Sequence, residues 1–291
     1  MRRTMLFLPG NNPNMIANGG ILGSDSIILD LEDAVAPDQK DAARELVKNA
    51  LRAVDFGKCE IIIRINGLDT PYWQEDLEEI IPLKPDAIMP PKVSDGAYIR
   101  QLDEKLTEVE QKNGMEPGTT KLIALLETAQ GIENAYEIAC ASQRMTAMFL
   151  GAEDLTADLR CARTKEGAEI AYARGRIVCA ARAAGIEVYD TPFTDVEDLE
   201  GLEKDAMLAK GLGFTGKASI SPRHVDCINR VFSPTKKEIR YALDVFAAIE
   251  QAKAMGKGAI SLRGKMIDAP IVQRAKIVLD AAREIGGLLD E

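Results

Sequence analysis

The chain has a single histidine, His224, in 291 residues. That scarcity excludes a histidine-rich zinc cage and leaves little room for a Ser-His-Asp triad. Cysteine is sparse too: Cys59, Cys140, Cys161, Cys179 and Cys227 form no CxxC pair. An odd count in a long chain is not a disulfide framework, so a reducing, cytoplasmic setting fits better. The five cysteines read as structural. No apolar run approaches the ~20 residues of a membrane span, and the run Met5–Leu8 is far too short for a secretory signal core. Positive charge is short as well: 36 Lys and Arg face 46 Asp and Glu, a formal net charge of −10. A nucleic-acid-binding protein normally shows a basic face, and nothing in this composition suggests one. No GxGxxG follows the first apolar run, which disfavours a dinucleotide-binding doubly wound sheet. The expectation is a soluble cytoplasmic protein with neither nucleic acid nor membrane as partner.

What is present is a large apolar fraction, 46% of residues, enough for one large domain or two ordinary ones. Short apolar runs recur at Thr4–Leu8, Ser26–Leu31, Glu60–Ile65, Ala87–Met89, Lys121–Leu126, Thr146–Leu150, Glu187–Tyr189 and Gly216–Ile220. They are continuous rather than alternating, as expected of parallel strands covered on both faces. Helical spacing fills the gaps. Ile99, Leu102, Leu106 and Val109 keep one face, and a helix over about Gly167–Ala184 stops at Gly185. Eight alternating βα units predict an α/β fold, a (β/α)8 TIM barrel over residues 1–232. A C-terminal helical extension over 233–291 follows. Thr235 and Glu238 have capping-box spacing, Ile239, Leu243, Phe246 and Ile249 form an apolar face, and Gly256 closes the helix. A glycine-rich link leads to a last helix from about Ala269.

With histidine and cysteine scarce, catalysis falls to carboxylates, arginines and lysines, and a carboxylate metal site favours a hard cation such as Mg2+. In such barrels the chemistry sits at the C-terminal strand ends. Polar residues collect there: Asp30-Leu31-Glu32-Asp33, Arg64, Lys92, Glu127, Glu153 and Asp154. Glu127 and Asp154 end neighbouring strands, so their carboxylates can converge on one cation. Asp154 reads equally as the N-cap of the helix that follows. Arg64 reads as a bidentate grip on a substrate carboxylate or as a buried ion pair. Glu153 and Asp158 read as helix-start charges or partners of arginines, Lys92 as solvent-facing or structural, and His224 as an ordinary polar residue in a loop. Arg160, Arg163, Arg174 and Arg176 are candidates for a local basic patch on an otherwise acidic chain.

Seven stretches carry a resemblance: LFLPGNNP (6–13), ILDLEDAV (28–35), IRIN (63–66), LLETAQGI (125–132), LGAEDLTADL (150–159), GKASISPRH (216–224) and GKMID (264–268). In this order they resemble the CitE-like, citrate lyase β-subunit branch of the HpcH/HpaI aldolase family, over nearly the whole chain. The resemblance implies a (β/α)8 barrel with a helical extension, commonly trimeric, that uses Mg2+ to cleave or form C–C bonds in 3-hydroxyacyl thioesters. It implies Glu127 and Asp154 as metal ligands and Arg64 as the residue that binds the substrate carboxylate. Asp268 matches an acid that reaches a neighbouring subunit's site; its spacing alone reads as an N-cap before Pro270. The implied substrate is a citryl thioester on an acyl carrier subunit or CoA, and the implied partners are the α and acyl carrier subunits of citrate lyase. Malyl-CoA and citramalyl-CoA lyases share the motifs. The segment NPNMIANGGILGSD (12–25) lacks the basic, alanine-rich character of many CoA-using relatives and tilts the expectation toward the citryl substrate. A scaffold without activity and a class II aldolase acting on free acids are the other readings. The latter commonly uses histidine.

Overall fold

The computed structural model describes residues 1–254 and 261–286. The chain divides into two compact units, Arg2–Asn229 and a second that runs from Arg230 and includes Met1.

The first unit is a closed barrel of eight parallel strands in sequence order. The strands are β1 (Thr4–Pro9), β2 (Ser26–Asp30), β3 (Glu60–Arg64), β4 (Ala87–Met89), β5 (Lys121–Leu126), β6 (Met145–Leu150), β7 (Glu187–Asp190) and β8 (Gly216–Ser219). Closure pairs Met5 of β1 with Ser26 of β2 on one side and with Ala218 of β8 on the other. Each predicted strand is present, with ends displaced by one residue at most. Between them lie α1 (Pro13–Asn18), α2 (Lys40–Ala53), α3 (Trp73–Ile80), α4 (Gly96–Lys112), α5 (Ala129–Glu133), α6 (Ala135–Ala139), α7 (Ala152–Asp158), α8 (Ala171–Ala184) and α9 (Leu199–Leu212), and α10 (Val225–Phe232) follows β8. The predicted face of α4, Ile99, Leu102, Leu106 and Val109, is fully buried. α8 begins four residues later than its spacing suggests, because Ala168–Ile170 is a 3-10 turn. It ends at Gly185 in the left-handed region (φ 73°), where a side chain is disfavoured.

Side chains alternate across a strand, so every second residue faces the barrel interior. Met5, Ile28, Ile62, Ile123, Leu125, Ala147, Phe149 and Ala218 fill that interior. One step of two residues beyond the last apolar layer brings Asp30, Arg64 and Glu127 to the inward positions at the mouth. The strand period therefore selects which polar residues can meet there.

Outside the barrel wall, Lys217 is wholly buried and donates to Asp190 (2.6 Å), Asp205 (2.6 Å) and the Thr191 carbonyl (2.7 Å). Arg174 completes the group, bonding Asp190 twice at 2.9 Å and Asp205 at 2.7 Å. Breaking a buried pair leaves an uncompensated charge, which costs roughly 3–5 kcal/mol. Lys217→Met is therefore expected to lower the urea midpoint by that order of stability. A double replacement, Lys217→Met with Asp205→Leu, is expected to recover part of it. An unchanged midpoint in the single variant would contradict this account.

The second unit contains α11 (Lys236–Ala254), a short antiparallel hairpin β9 (Ser261–Leu262) and β10 (Lys265–Met266), and α12 (Ala269–Glu284). The capping box is realised: the Thr235 N–H donates to Glu238 Oε2 at 2.7 Å and the Glu238 N–H to Thr235 Oγ1 at 3.2 Å. Ala242, Val245 and Ala252 are buried in α11, with Ile239, Phe246 and Ile249 packed beside the first two, whereas Leu243 is partly exposed. The stripe is thus shifted from the predicted one because α12 supplies Ala275 and Leu279 against Ala242 and Val245. The hairpin is a departure from the plain glycine-rich link that the sequence suggests. Gly256 lies outside the described residues. No helix among the described residues is long and apolar enough to cross a membrane.

Candidate active site at the barrel mouth

A cavity of about 320 Å³ opens at the C-terminal ends of the strands. Arg64, Glu127 and Asp154 all line it, so three of the residues singled out from the sequence come together. Its floor is apolar: Phe7 and Phe149 meet edge-to-face at 5.9 Å, with Leu125 alongside. Phe7 also lies beneath the Arg64 guanidinium, 5.2 Å from its ring centroid, a cation–π contact.

Glu127 is almost wholly buried. Its Oε1 accepts the Lys92 N–H at 2.8 Å. Burial, reinforced by the negative charge of Asp154, pushes its carboxyl up to about 8. Two acids that repel each other in an apolar-floored cavity form a natural seat for a hard cation. Among the described residues no group of three or more Asp, Glu, His and Cys side chains forms a metal cage. A pair of carboxylate ligands leaves most of an octahedron to substrate and water, which is the Mg2+ pattern. The chemistry of this carboxylate pair fits Mg2+.

Gly151 makes this packing possible. A Cβ there would lie 2.5 Å from Glu127 Oε2 and 2.7 Å from Glu127 Cβ. Its φ of −98° is ordinary, so the demand is for space rather than conformation. Gly151→Ala is expected to push the Glu127 carboxylate aside and raise the Mg2+ half-saturation concentration about 10- to 100-fold, the usual cost of disturbing a ligand's support. Titration calorimetry with Mg2+ checks it, and wild-type affinity in the variant would refute the role.

Asp154 is not the N-cap of the helix that follows. Gly151 occupies that position and Asp154 stands in the first turn of α7, half-buried. The capping reading fails because the helix starts two residues earlier, leaving the carboxylate free to face the cavity. Glu153 also lines the cavity and lies 3.6 Å from Arg163 Nε, while Asp158 accepts the Ala129 N–H at 2.7 Å. Glu153 is the helix-start charge beside an arginine that its position suggests, whereas Asp158 is the last residue of α7 and holds the first N–H of α5 instead.

Arg64 sits in the buried ion pair that is one of its two readings. Nε and Nη2 bond Asp30 at 2.7 and 2.6 Å, and Nη1 lies 3.0 Å from Glu32. Burial opposes the charge, but Asp30 outweighs it and holds the guanidinium proton more firmly than usual. Asp30 takes two of the five N–H groups and Glu32 faces a third, which leaves two for a ligand.

Spacing along the chain assigns no part in the site to Asp30, Glu32 or Lys92, yet all three belong to it. Strand alternation is the signal that could have found the first: Asp30 stands two residues beyond the interior Ile28. Lys92 is not merely a loop lysine, because Nζ reaches Glu32 at 2.6 Å and comes within 3.8 Å of Asp154.

Other expectations are corrected. Arg174 cannot join a surface patch, since it is fully buried against Asp190 and Asp205. Arg163 pairs with Glu169 at 2.7 Å and Arg176 with the Glu133 carbonyl at 2.8 Å, while Arg160 is exposed. His224 ends a 3-10 turn and is buried: its Nε2 lies 3.2 Å from the Val196 carbonyl, and burial pushes its pKa below the usual histidine range. None of the five cysteines forms a disulfide, and Cys140, Cys161 and Cys179 are exposed, so a structural packing role does not describe those three. Asp268 belongs to the second unit, where its Oδ1 accepts the Ile271 N–H at 3.0 Å as the N-cap of α12.

Comparison with known proteins adds to this geometry. The sequence profile of the HpcH/HpaI aldolase/citrate lyase family matches residues 3–222. A citrate lyase subunit beta from Leuconostoc mesenteroides subsp. cremoris is 48% identical over 282 residues, covering 97% of this chain and 93% of that one. An L-malyl-CoA/beta-methylmalyl-CoA lyase from Cereibacter sphaeroides is 35% identical, covering 97% of this chain and 95% of its own. Among solved structures, a citrate lyase beta subunit from M. tuberculosis complexed with oxaloacetate and magnesium superposes with a TM-score of 0.67 at 33% identity, over 80% of this chain and 97% of that one. On the profile match and the near full-length identity, this chain belongs to the HpcH/HpaI aldolase/citrate lyase family.

Proposed function

We propose that this chain is a Mg2+-dependent carbon–carbon lyase that cleaves a citryl thioester to oxaloacetate and an acetyl thioester, as the β subunit of a citrate lyase. The observation that carries the reading is Glu127, buried against Asp154 in a cavity that Arg64 also lines. The 48% identity to a citrate lyase subunit beta supports the choice of substrate.

Glu127 and Asp154 hold the metal. When bound there, Mg2+ supplies Lewis-acid stabilisation to the oxygens of the reacting centre. The free edge of Arg64 grips a substrate carboxylate and sets its orientation, and the Asp30 pair keeps the guanidinium from rotating away. Burial over the apolar floor keeps water from Glu127 and Arg64, so these two act at greater strength than in bulk solvent. The substrate hydroxyl loses its proton and becomes the keto group of oxaloacetate. The electrons of the broken C–C bond pass to the thioester as an enolate. Protonation at carbon then gives the acetyl thioester. Asp268 is the proposed acid, acting on the site of a neighbouring subunit in a trimer. Its support is the GKMID match and a carboxylate exposed at the start of α12. The acyl carrier and α subunits of a citrate lyase complete the proposed assembly.

The test is oxaloacetate release from citryl-CoA, with and without Mg2+, beside malyl-CoA and citramalyl-CoA. Mg2+-dependent release from citryl-CoA, with the other two inert, is expected. Preference for malyl-CoA or citramalyl-CoA would move the protein to a stand-alone CoA lyase, the second reading, which the 35% identity to a malyl-CoA lyase favours. Absence of activity on all three would favour a scaffold. Asp268→Asn is expected to lower turnover about 10²-fold or more, in the range of a lost general acid, with Mg2+ affinity unchanged. An equal loss of Mg2+ affinity would argue against the assignment.

A further inference from the structure

Lys92 adopts a left-handed backbone, φ 50°, a strained conformation for a non-glycine residue. The surroundings enforce it. The Pro90 carbonyl accepts the Leu125 N–H at 3.1 Å, the Pro91 carbonyl accepts the Tyr98 hydroxyl at 2.9 Å, and the Val93 N–H reaches the Leu125 carbonyl at 3.2 Å. Gly131 lets the Val93 carbonyl approach, since a Cβ there would lie 2.3 Å from its oxygen. The turn has two consequences. The Lys92 N–H is aimed at Glu127 Oε1, 2.8 Å away. The side chain is thrown across the mouth, where Nζ lies 2.6 Å from Glu32, 3.7 Å from Asp33 and 3.8 Å from Asp154. Glycine would take this backbone without strain, but it carries no ammonium.

The charges at the mouth explain the value of that ammonium. Among the described residues, Asp30, Glu32, Asp33 and Asp154 lie at ion-pair distance from Arg64 or Lys92, Glu127 accepts the Lys92 N–H, and Lys40, bonded to the Leu31 and Glu32 carbonyls, adds a third positive charge against these five acids. Such a surplus of negative charge attracts a divalent metal and repels a substrate that carries carboxylates of its own. We propose that Lys92 is the charge-balancing residue of this site: its ammonium loosens the hold on the divalent cation and, in exchange, admits the polyanionic substrate. The proposal rests on the reading of Glu127 and Asp154 as the metal pair.

The two effects have opposite signs, which a purely structural role would not produce. In Lys92→Met the substrate-free protein is expected to bind Mg2+ about tenfold more tightly by titration calorimetry, the order expected of one partly screened charge some 4 Å from a ligand. The same variant is expected to bind oxaloacetate about tenfold more weakly at saturating Mg2+. Lys92→Arg is expected to restore both affinities, and Lys92→Gly to reproduce the Lys92→Met shifts with higher thermal stability. Raised salt is expected to shrink both shifts. Affinities that fall together, or that stay at the wild-type values in Lys92→Met and Lys92→Gly, would overturn the role of Lys92 alone. Equal Mg2+ affinity in wild type and Glu127→Gln would instead overturn the metal reading, and the proposal with it.

Discussion

Glu127→Gln is expected to abolish Mg2+-dependent turnover, by about 10³-fold or more, while leaving the protein folded and no less stable in the absence of metal. The size follows from losing several kcal/mol of metal-derived stabilisation, at 1.36 kcal/mol per tenfold. The stability follows from the site's own electrostatics. Glu127 is buried and faces Asp154, so its charge is unfavourable without a cation and its carboxyl rises to about 8. A neutral amide of the same shape removes that repulsion and still accepts the Lys92 N–H. Mg2+ itself provides a second readout. A ligand that binds only the folded state stabilises it by about 2.7 kcal/mol at a hundredfold excess over its dissociation constant. Wild type is expected to show that rise in melting temperature with added Mg2+, and Glu127→Gln and Asp154→Asn are expected to lose it. Full Mg2+-dependent activity in either variant would sink the assignment.

Arg64→Lys is expected to lower kcat/KM about 10²-fold or more with a smaller loss of stability. Lysine keeps the charge but not the planar fork that meets Asp30 through two N–H groups and leaves an outer edge for the substrate. Arg64→Met goes further. It strands Asp30 as a buried acid without an ionic partner, while Glu32 keeps Lys92, and such a loss costs roughly 3–5 kcal/mol of fold stability. The two roles separate in a double variant, Arg64→Met with Asp30→Asn. Removing both charges is expected to return much of the stability, because neither is left alone, but none of the activity. Recovery of activity along with stability would mean that Arg64 serves the fold and not the substrate.

Much of the molecule is legible in its sequence. The eight strands stand out because a parallel strand covered on both faces needs a continuous apolar run, and that need is written locally. The helix ends are local too: Gly185 in the left-handed region, the reciprocal Thr235–Glu238 box, and Asp268 bonded to the Ile271 N–H. Each depends on residues within four positions. Glu127 and Arg64 are visible as charges interrupting apolar strands.

The pairing of those charges is not visible in the same way. Asp30 and Arg64 are 34 residues apart, and Glu32 and Lys92 are 60. The first contact exists because β2 pairs with β3, and the second reaches across β3 from the end of β4 to that of β2. Arg174 reads as a surface helix charge until β7 and α9 bring Asp190 and Asp205 against it. The left-handed turn at Lys92 is imposed by Leu125 and Tyr98 from other elements, not by its own dipeptide preference. The sequence by itself determined the elements, their ends and the family motifs, because these follow from periodicity and short-range hydrogen bonding. Only the tertiary structure decided which charges are buried together, since the free energy of a charge depends on partners and solvent exposure that local spacing does not contain.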